Sequence, residues 1–224
     1  MAYRVGSDLW FCRFGHSLIF LDVHEDRYFQ LPASQARSFI SRIAGRRTSD
    51  SRVAPAHTSV EESTPSDPRL ELRTIKSPTR SALEHHSLQP RLRPGLTLEV
   101  STALFSTFLQ LKVRSLQDVL SGMLRCKDKC TSTPNPPAHD LHELQAMEAA
   151  RSFSRARLLV PIEPSCLLDS IALSNFLARR GMDSSLVFGV TCNPFSAHSW
   201  VQVSDIVLND SVGSARSYTP IGIF

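Results

Sequence analysis

The sequence lacks a long apolar run, since no stretch approaches the roughly 20 consecutive apolar residues that a bilayer-spanning helix needs. Its first residues, MAYRVGSDLWFC, also lack the basic-then-apolar order of a secretory signal peptide. We therefore expect a cytoplasmic protein without a membrane partner. With 42% hydrophobic residues in a chain of 224, there is enough apolar material for one good core or two modest ones.

The cysteines and the basic residues follow none of the patterns that would mark a disulfide scaffold or a nucleic-acid binder. Five cysteines, an odd number without framework spacing, argue against a fold held by disulfides. The net charge of +4 is mild. Arginines scattered through a Ser- and Pro-rich middle supply much of it, and no basic stripe carries interleaved aromatic residues. We therefore expect no nucleic-acid partner.

The first 45 residues predict a small β-then-α unit. Three apolar runs, at residues 9–15, 17–23 and 27–31, are separated by turn-prone segments and indicate short strands. Apolar residues then recur at helical spacing over residues 33–45, where Gly45 can end the helix.

From Arg46 to Pro94 the composition turns to Ser, Thr, Pro, Arg and His, with few large apolar residues. Such a composition cannot easily offset the entropy of ordering, so it predicts a partly mobile insert or linker. Residues 69–75, RLELRTI, are the exception and can add one short element to the first unit. We divide the chain into a first domain over residues 1–85 and a second over 95–224.

Helical patterns dominate the start of the second domain. One stripe at steps of three and four predicts a single long helix, through Leu109, Val113, Leu116, Leu120 and Leu124. Asp140 has the place of an N-cap for a second helix, which continues through Leu141, Leu144 and Met147.

The connection between these helices holds two cysteines and two histidines, at Cys126, Cys130, His139 and His142. Thiolate and imidazole ligands suit Zn²⁺, but structural zinc sites usually separate the ligand pairs further. We favour a flexible, proline-rich connection and expect no metal, with zinc as the alternative.

Cys166 has the sequence context of a reactive thiol. Pro164 and Ser165 in front of it form a helix-start signature, and Gly181 after two arginines forms the matching stop. In the first turn of a helix, unpaired N–H groups and the positive end of the helix dipole stabilise a thiolate. The alternative is a small cysteine that simply packs at a helix start.

A histidine that could act as the base for this thiol follows on a strand. Residues 184–190 and 197–203 predict two strands, and the second carries His198, Trp200 and Gln202 on one face. A third strand returns and ends in Asn209 and Asp210. Nucleophile, base and orienting residue therefore occur in the order of a catalytic triad.

The loop between the last two strands decides which residue orients His198. A regular two-residue loop at 204–205 would place Asn209 on the His198 face, whereas a longer or bulged loop would place Asp210 there. We expect Asp210, because a carboxylate also stabilises the imidazolium. This expectation includes an irregular hairpin, and Asn209 is the alternative.

Residues 166–210 resemble the core of the B proteins of lasso peptide biosynthesis, transglutaminase-like cysteine proteases that remove the leader from a ribosomal precursor. The shared motifs are Cys-Leu at a helix start, Arg-Arg-Gly at its end, a Gly-Val strand, Pro-Phe, His-x-Trp-Val and a closing Asn-Asp. The resemblance implies Cys166, His198 and Asp210 as catalytic residues. It also implies a papain- or transglutaminase-like second domain, with helices packed on an antiparallel sheet.

Residues 18–32, LIFLDVHEDRYFQLP, resemble the strand pair of the family's leader-recognition domain, which is related to the small chaperone of pyrroloquinoline quinone synthesis. The resemblance implies a small winged-helix-like first domain that binds the leader as an added strand. It assigns leader binding to Tyr28, Phe29 and Leu31. The expected fold class of the whole chain is therefore α+β.

The resemblance further implies two partners, the precursor peptide and an asparagine-synthetase-like cyclase that uses ATP. Because this chain has no Walker loop, we assign ATP to the cyclase and expect no cofactor bound directly. Two other functions remain open. A transglutaminase-like acyltransferase would use the same three residues, and a non-catalytic leader-binding scaffold would tolerate their loss.

Overall fold

The first half of the fold is a five-stranded antiparallel sheet with one helix. A computed structural model describes residues 2–15, 17–32, 34–39, 70–84, 94–131 and 139–224. The strands of this sheet lie in the order β4-β3-β2-β1-β5 and are β1 (Ala2–Val5), β2 (Leu9–Phe14), β3 (Ser17–Asp22), β4 (Arg27–Leu31) and β5 (Leu70–Arg73). The three predicted strands are confirmed as β2 to β4, and β5 is the predicted additional element. Residues 34–39 form helix α1, and the rest of that predicted helix lies outside the described residues.

Both faces of the first sheet are covered, which explains why β2 and β3 read as continuous apolar runs. Trp10 and Leu21 face the main core, whereas Phe11 and Phe20 face a second cluster that includes Ala36 of α1. The edge strand β4 contributes to both sides.

The second half is another five-stranded sheet, in the order β10-β7-β8-β9-β6. Its strands are β6 (Arg80–Ser81), β7 (Ser185–Cys192), β8 (Phe195–Val203), β9 (Ile206–Val207) and β10 (Thr219–Ile223). Neighbours pair antiparallel, except that β6 runs parallel to β9. The predicted strands are confirmed as β7, β8 and a shorter β9. The sequence patterns did not predict β1, β6 or β10.

Five helices complete the described fold: α2 (Pro94–Val113), α3 (Leu116–Thr131), α4 (His139–Arg157), α5 (Cys166–Ala178) and α6 (Val212–Ser217). Helix α5 is central, because it contacts α2, α3 and α4 on one side and β7 and β8 on the other. Helices packed on a sheet, together with the N-terminal sheet, confirm the α+β fold class.

The predicted single helix over residues 109–124 is wrong. Helix α2 ends at Val113, and α3 begins at Leu116. Between them the Ser115 hydroxyl accepts a hydrogen bond from the backbone N–H of Asp118 at 3.1 Å, which is an N-cap for α3. Because the helix axis is interrupted there, Leu109 and Val113 do not join the buried stripe, and 58% and 78% of their surfaces are exposed.

The predicted N-cap of the next helix is also wrong. Helix α4 starts at His139, so Asp140 lies inside its first turn instead of before it. The predicted apolar face is only partly buried, since Met147 packs against the core whereas Leu141 and Leu144 are exposed.

The two sheets share one core. The Trp10 ring lies 4.9 Å from that of Phe224, just after β10, and Phe224 lies 5.3 Å from Phe188 of β7. β6 comes from the predicted first domain but pairs within the second sheet. The predicted division between residues 85 and 95 falls outside the described residues, as does most of the insert that precedes it. Within the described ranges, no helix combines the length and apolar character needed to cross a bilayer.

Candidate active site

Cys166 is exposed at the first position of α5. Ser165 before it has extended backbone angles, and its side chain makes no capping hydrogen bond. The first helical bond runs from the Asp169 N–H to the Ser165 carbonyl at 2.9 Å. Cys166 therefore lies in the first turn, where backbone N–H groups have no intrahelical acceptor and the positive end of the helix dipole is located.

The end of α5 follows the predicted stop. Gly181 adopts a φ of 72°, and its N–H donates to the Ala178 carbonyl at 2.8 Å. The Met182 N–H donates to the Leu177 carbonyl at 3.0 Å, which completes a Schellman motif.

His198 and Asp210 are in direct contact. His198 Nε2 donates to Asp210 Oδ2 at 2.6 Å, and the two side chains are 21% and 20% exposed. Cys166 lines the same cavity as this pair and lies close enough to the imidazole to influence its pKa. The structure thus brings together Cys166, His198 and Asp210, the three catalytic residues predicted from the sequence.

The predicted irregular hairpin loop is wrong. Val203 pairs with Ile206 across a regular two-residue loop. The irregularity lies further on, after the last backbone bond between the two segments, which runs from the Leu208 N–H to the Val201 carbonyl at 2.9 Å. Beyond that point the Val201 N–H donates to the side chain of Asn209 at 2.8 Å. An antiparallel pair would place a backbone carbonyl there. The chain therefore leaves the strand, Asn209 turns towards α5, and the next residue reaches His198.

Two aromatic rings and a glycine hold the imidazole. The Tyr218 ring lies 5.0 Å from that of His198, and the Trp200 ring lies 6.2 Å away. Gly189 is the cross-strand partner of His198. A Cβ at this glycine would come within 2.6 Å of Trp200 and 2.7 Å of Tyr218, so only glycine lets both rings approach. The sequence patterns placed Trp200 on the same face as His198 but did not predict the contact with Tyr218.

The electrostatics of the pair favour a thiolate beside an imidazolium. A hydrogen bond with His198, together with smaller contributions from Ser199, outweighs burial and lowers the pKa of the Cys166 thiol to about 7. The hydrogen bond with Asp210, and a second one with Cys166, raise the pKa of His198 to about 10. Between these values the sulfur carries a negative charge and the ring a positive one.

Asp210 stays ionised under the same conditions. Burial alone would raise the pKa of its carboxyl, but hydrogen bonds from His198, Ser214 and Ser211 outweigh burial and hold the pKa below its usual range. The Ser81 hydroxyl of β6 donates to the Asp210 carbonyl at 2.7 Å and fixes the backbone here. This contact comes from a two-residue strand that no local pattern revealed.

With this geometry established, comparison with known proteins decides the family. The Transglutaminase-like superfamily profile matches residues 107–222, just over half of the chain, including all three site residues. The chain belongs to the transglutaminase-like superfamily.

A second comparison concerns one protein. The chain is 48% identical over 46 residues to the "Microcin J25-processing protein McjB" of Escherichia coli. This match spans 20% of the chain and 22% of that protein, so the chain covers about a fifth of the length of the relative. No solved structure matches the chain significantly.

A cavity of about 220 Å³ opens beside Cys166. Its lining combines the three site residues with six residues from α4, α5, β8 and the segment after β9: Phe153, Ser154, Arg157, Asp169, Ser199 and Asn209. Arg157 Nε donates to Asp169 Oδ1 at 2.6 Å. This ion pair neutralises the acid one turn from Cys166, which would otherwise disfavour a thiolate.

The residues predicted to bind the leader lie on the edge strand β4 and divide between its two faces. Phe29 stacks on Phe20 at 5.1 Å, and Leu31 packs in the same cluster near α1. Tyr28 faces the other way and contacts Phe195 of β8, with ring centroids 5.6 Å apart.

The zinc alternative gains no support. In the described part of the chain, no three His, Cys, Asp or Glu side chains are placed to hold a metal ion. His142 Nε2 already accepts a hydrogen bond from the Asp183 N–H at 3.1 Å. The side chain of His139 lies outside the described residues.

Proposed function

We propose that this chain is a cysteine leader peptidase of lasso peptide maturation, which cleaves a ribosomal precursor between leader and core. The observation that carries this proposal is the convergence of Cys166, His198 and Asp210 beside an open cavity. The transglutaminase-like superfamily includes cysteine peptidases, and the similarity to a microcin-processing protein favours a peptide precursor as substrate.

The proposed reaction proceeds through a thioester. The Cys166 thiolate attacks the carbonyl carbon of the last leader residue, and the His198 imidazolium protonates the departing core amine as the C–N bond breaks. Neutral His198 then takes a proton from water, whose oxygen attacks the thioester and releases the leader acid and the thiolate. The free backbone N–H of Cys166 is suited to stabilise the oxyanion in both steps.

The first sheet is proposed to bind the leader through β4, with Tyr28, Phe29 and Leu31 as contacts. Among the described strands, β4 forms one edge of its sheet, so its outer backbone groups can pair with an added strand. Tyr28 is the residue of β4 that packs against the second sheet, in which His198 lies. Its ring contacts Phe195, at the start of the strand that carries His198, and burial raises the pKa of Tyr28 well above its usual range.

Strand addition makes a prediction about the leader itself. N-methylation of a backbone amide that pairs with β4 should weaken leader binding about fivefold, because a lost hydrogen bond costs about 1 kcal/mol. The intervening amides point away from the sheet. A calorimetric scan of singly N-methylated leader peptides should therefore alternate with a period of two. Uniform affinities along the peptide would contradict binding as an added strand.

The proposed partners are the precursor and an asparagine-synthetase-like cyclase that uses ATP to close the ring on the freed core amine. The test is to incubate the precursor with this protein, the cyclase and ATP in H₂¹⁸O. Mass spectrometry should show a free leader with one ¹⁸O in its new carboxylate, because water resolves the thioester.

The same experiment separates the two rival functions. A leader joined to an added amine, without ¹⁸O, would identify an acyltransferase. An intact precursor that nevertheless binds would identify a non-catalytic scaffold.

A further inference from the structure

A chain of three hydrogen bonds links the elements that carry the proposed catalytic residues. The Ser170 hydroxyl donates to the backbone carbonyl of Ser199 at 3.0 Å. The side-chain amide of Asn209 donates to the Ser170 oxygen at 2.9 Å, and its carbonyl accepts from the Val201 N–H at 2.8 Å. The chain therefore connects α5, β8 and the segment after β9.

Each link lies beside a residue of the proposed triad. Ser170 follows Cys166 by one helical turn on the same face of α5. The carbonyl that it reaches directly follows His198 in β8, and Asn209 directly precedes Asp210. A shift in any of these bonds would therefore move one catalytic group relative to another.

The three hydrogen bonds lie along the edge of β8 where β9 no longer pairs with it. The last backbone bond between these segments runs from the Leu208 N–H to the Val201 carbonyl at 2.9 Å, so the Val201 N–H and the Ser199 carbonyl need other partners. Ser170 is fully buried and Ser199 is 2% exposed. A buried hydroxyl without a partner costs about 1–3 kcal/mol. The side chains of Ser170 and Asn209 satisfy backbone groups of β8 and one another, and in doing so they attach the helix that carries Cys166 to the strand that carries His198.

We propose that Ser170 and Asn209 are positioning residues, which hold the start of α5 against β8 so that the Cys166 sulfur stays within reach of the His198 imidazole. The effect on turnover rests on the proposed peptidase function, but the effect on the thiolate does not. Neither residue needs to touch the substrate. A displacement of about 1 Å between catalytic groups can cost on the order of 10²-fold in rate.

The test uses Ser170→Ala and Asn209→Ala in the full chain, with alkylation of Cys166 by iodoacetamide followed peptide by peptide in a mass spectrometer. In the wild type, alkylation should rise through an apparent pKa of about 7. Both variants should raise this pKa by about one unit, because the imidazolium no longer lies at its best distance from the sulfur. Leader release should lose roughly ten- to a hundredfold in kcat with KM unchanged.

The control is Ser174→Ala, which removes a buried hydroxyl one turn further along α5 and outside the three bonds. It should keep the wild-type alkylation profile and kcat. The double variant of Ser170 and Asn209 should be little worse than either single variant, because both break the same chain.

Lower thermal stability with an unchanged pKa and kcat, in both single variants, would show that the bonds are merely structural and would overturn the proposal. Asn209 is only half-buried, so its variant provides the answer should Ser170→Ala fail to fold. A wild type that shows the low pKa but releases no leader would refute the peptidase and leave the positioning role standing.

Discussion

Cys166→Ala is expected to abolish leader release while the protein still folds and still binds the leader. The sulfur forms the covalent bond of the proposed thioester, and no other described group in the cavity is a thiol. Loss of the nucleophile of a triad typically removes most of its rate enhancement, so we expect at least about a thousandfold loss. Because Cys166 is exposed, truncation to alanine leaves no large cavity in the core.

The measurement is release of leader from the precursor, by mass spectrometry, in the presence of the cyclase and ATP. Cys192→Ala is the matched control. That thiol lies at the end of β7, where burial raises its pKa, so it should remain protonated and unreactive. Its variant should release leader at the wild-type rate.

Two results would count against this reading of Cys166. Leader release that continues unchanged in the alanine variant would exclude the proposed nucleophile. Loss of activity together with loss of leader affinity would indicate a folding defect, and Cys166→Ser, which keeps the volume of the side chain more closely, would then decide between the two.

The parts of the site that local signals could predict are those set by one element each. Cys166 was predicted from a helix start, His198 from the alternation of one strand, and the end of α5 from Gly181. Each of these depends on a few neighbouring residues, whose backbone preferences do not change with the rest of the fold.

What the sequence could not predict depends on contacts between distant segments. Asp210 was the residue expected beside His198, but the expected cause, an irregular loop, is wrong. Asn209 is instead held towards α5 by hydrogen bonds with Val201 and with Ser170 on another element. β6 is only two residues long and is defined by its pairing with β9, more than 120 residues later. Tyr218 reaches His198 only because Gly189 leaves room for it. No local period encodes such contacts.

The second large effect is expected for Asp210→Asn, which should lower kcat/KM for leader release by roughly 10²- to 10⁴-fold. In the wild type the Ser211 N–H donates to Asp210 Oδ1 at 2.7 Å. The asparagine side-chain oxygen can accept the same hydrogen bond, so the local backbone conformation should be preserved. What is lost is the negative charge. The bond with Asp210 is the largest cause of the raised pKa of His198, so that pKa should fall towards its ordinary value of 6.5.

The pH profile tests this cause directly. In the wild type, activity should rise as the pH increases through about 7, where Cys166 loses its proton, and fall through about 10, where His198 loses the proton needed by the leaving amine. In Asp210→Asn the imidazolium is no longer stabilised, so the pKa of Cys166 should rise towards 9.0 while that of His198 falls. The two values then approach or cross, and the ion pair is no longer the dominant form at any pH.

Asp183→Asn is the control for removal of a charge. Asp183 is 67% exposed and pairs with Lys127 at 2.9 Å, outside the cavity, so its variant should keep the wild-type profile. A profile for Asp210→Asn that keeps both limbs near 7 and 10, at reduced height, would mean that Asp210 contributes without setting the protonation of His198. In that case the imidazolium would owe its stability to the thiolate alone, and the two residues would act as a dyad.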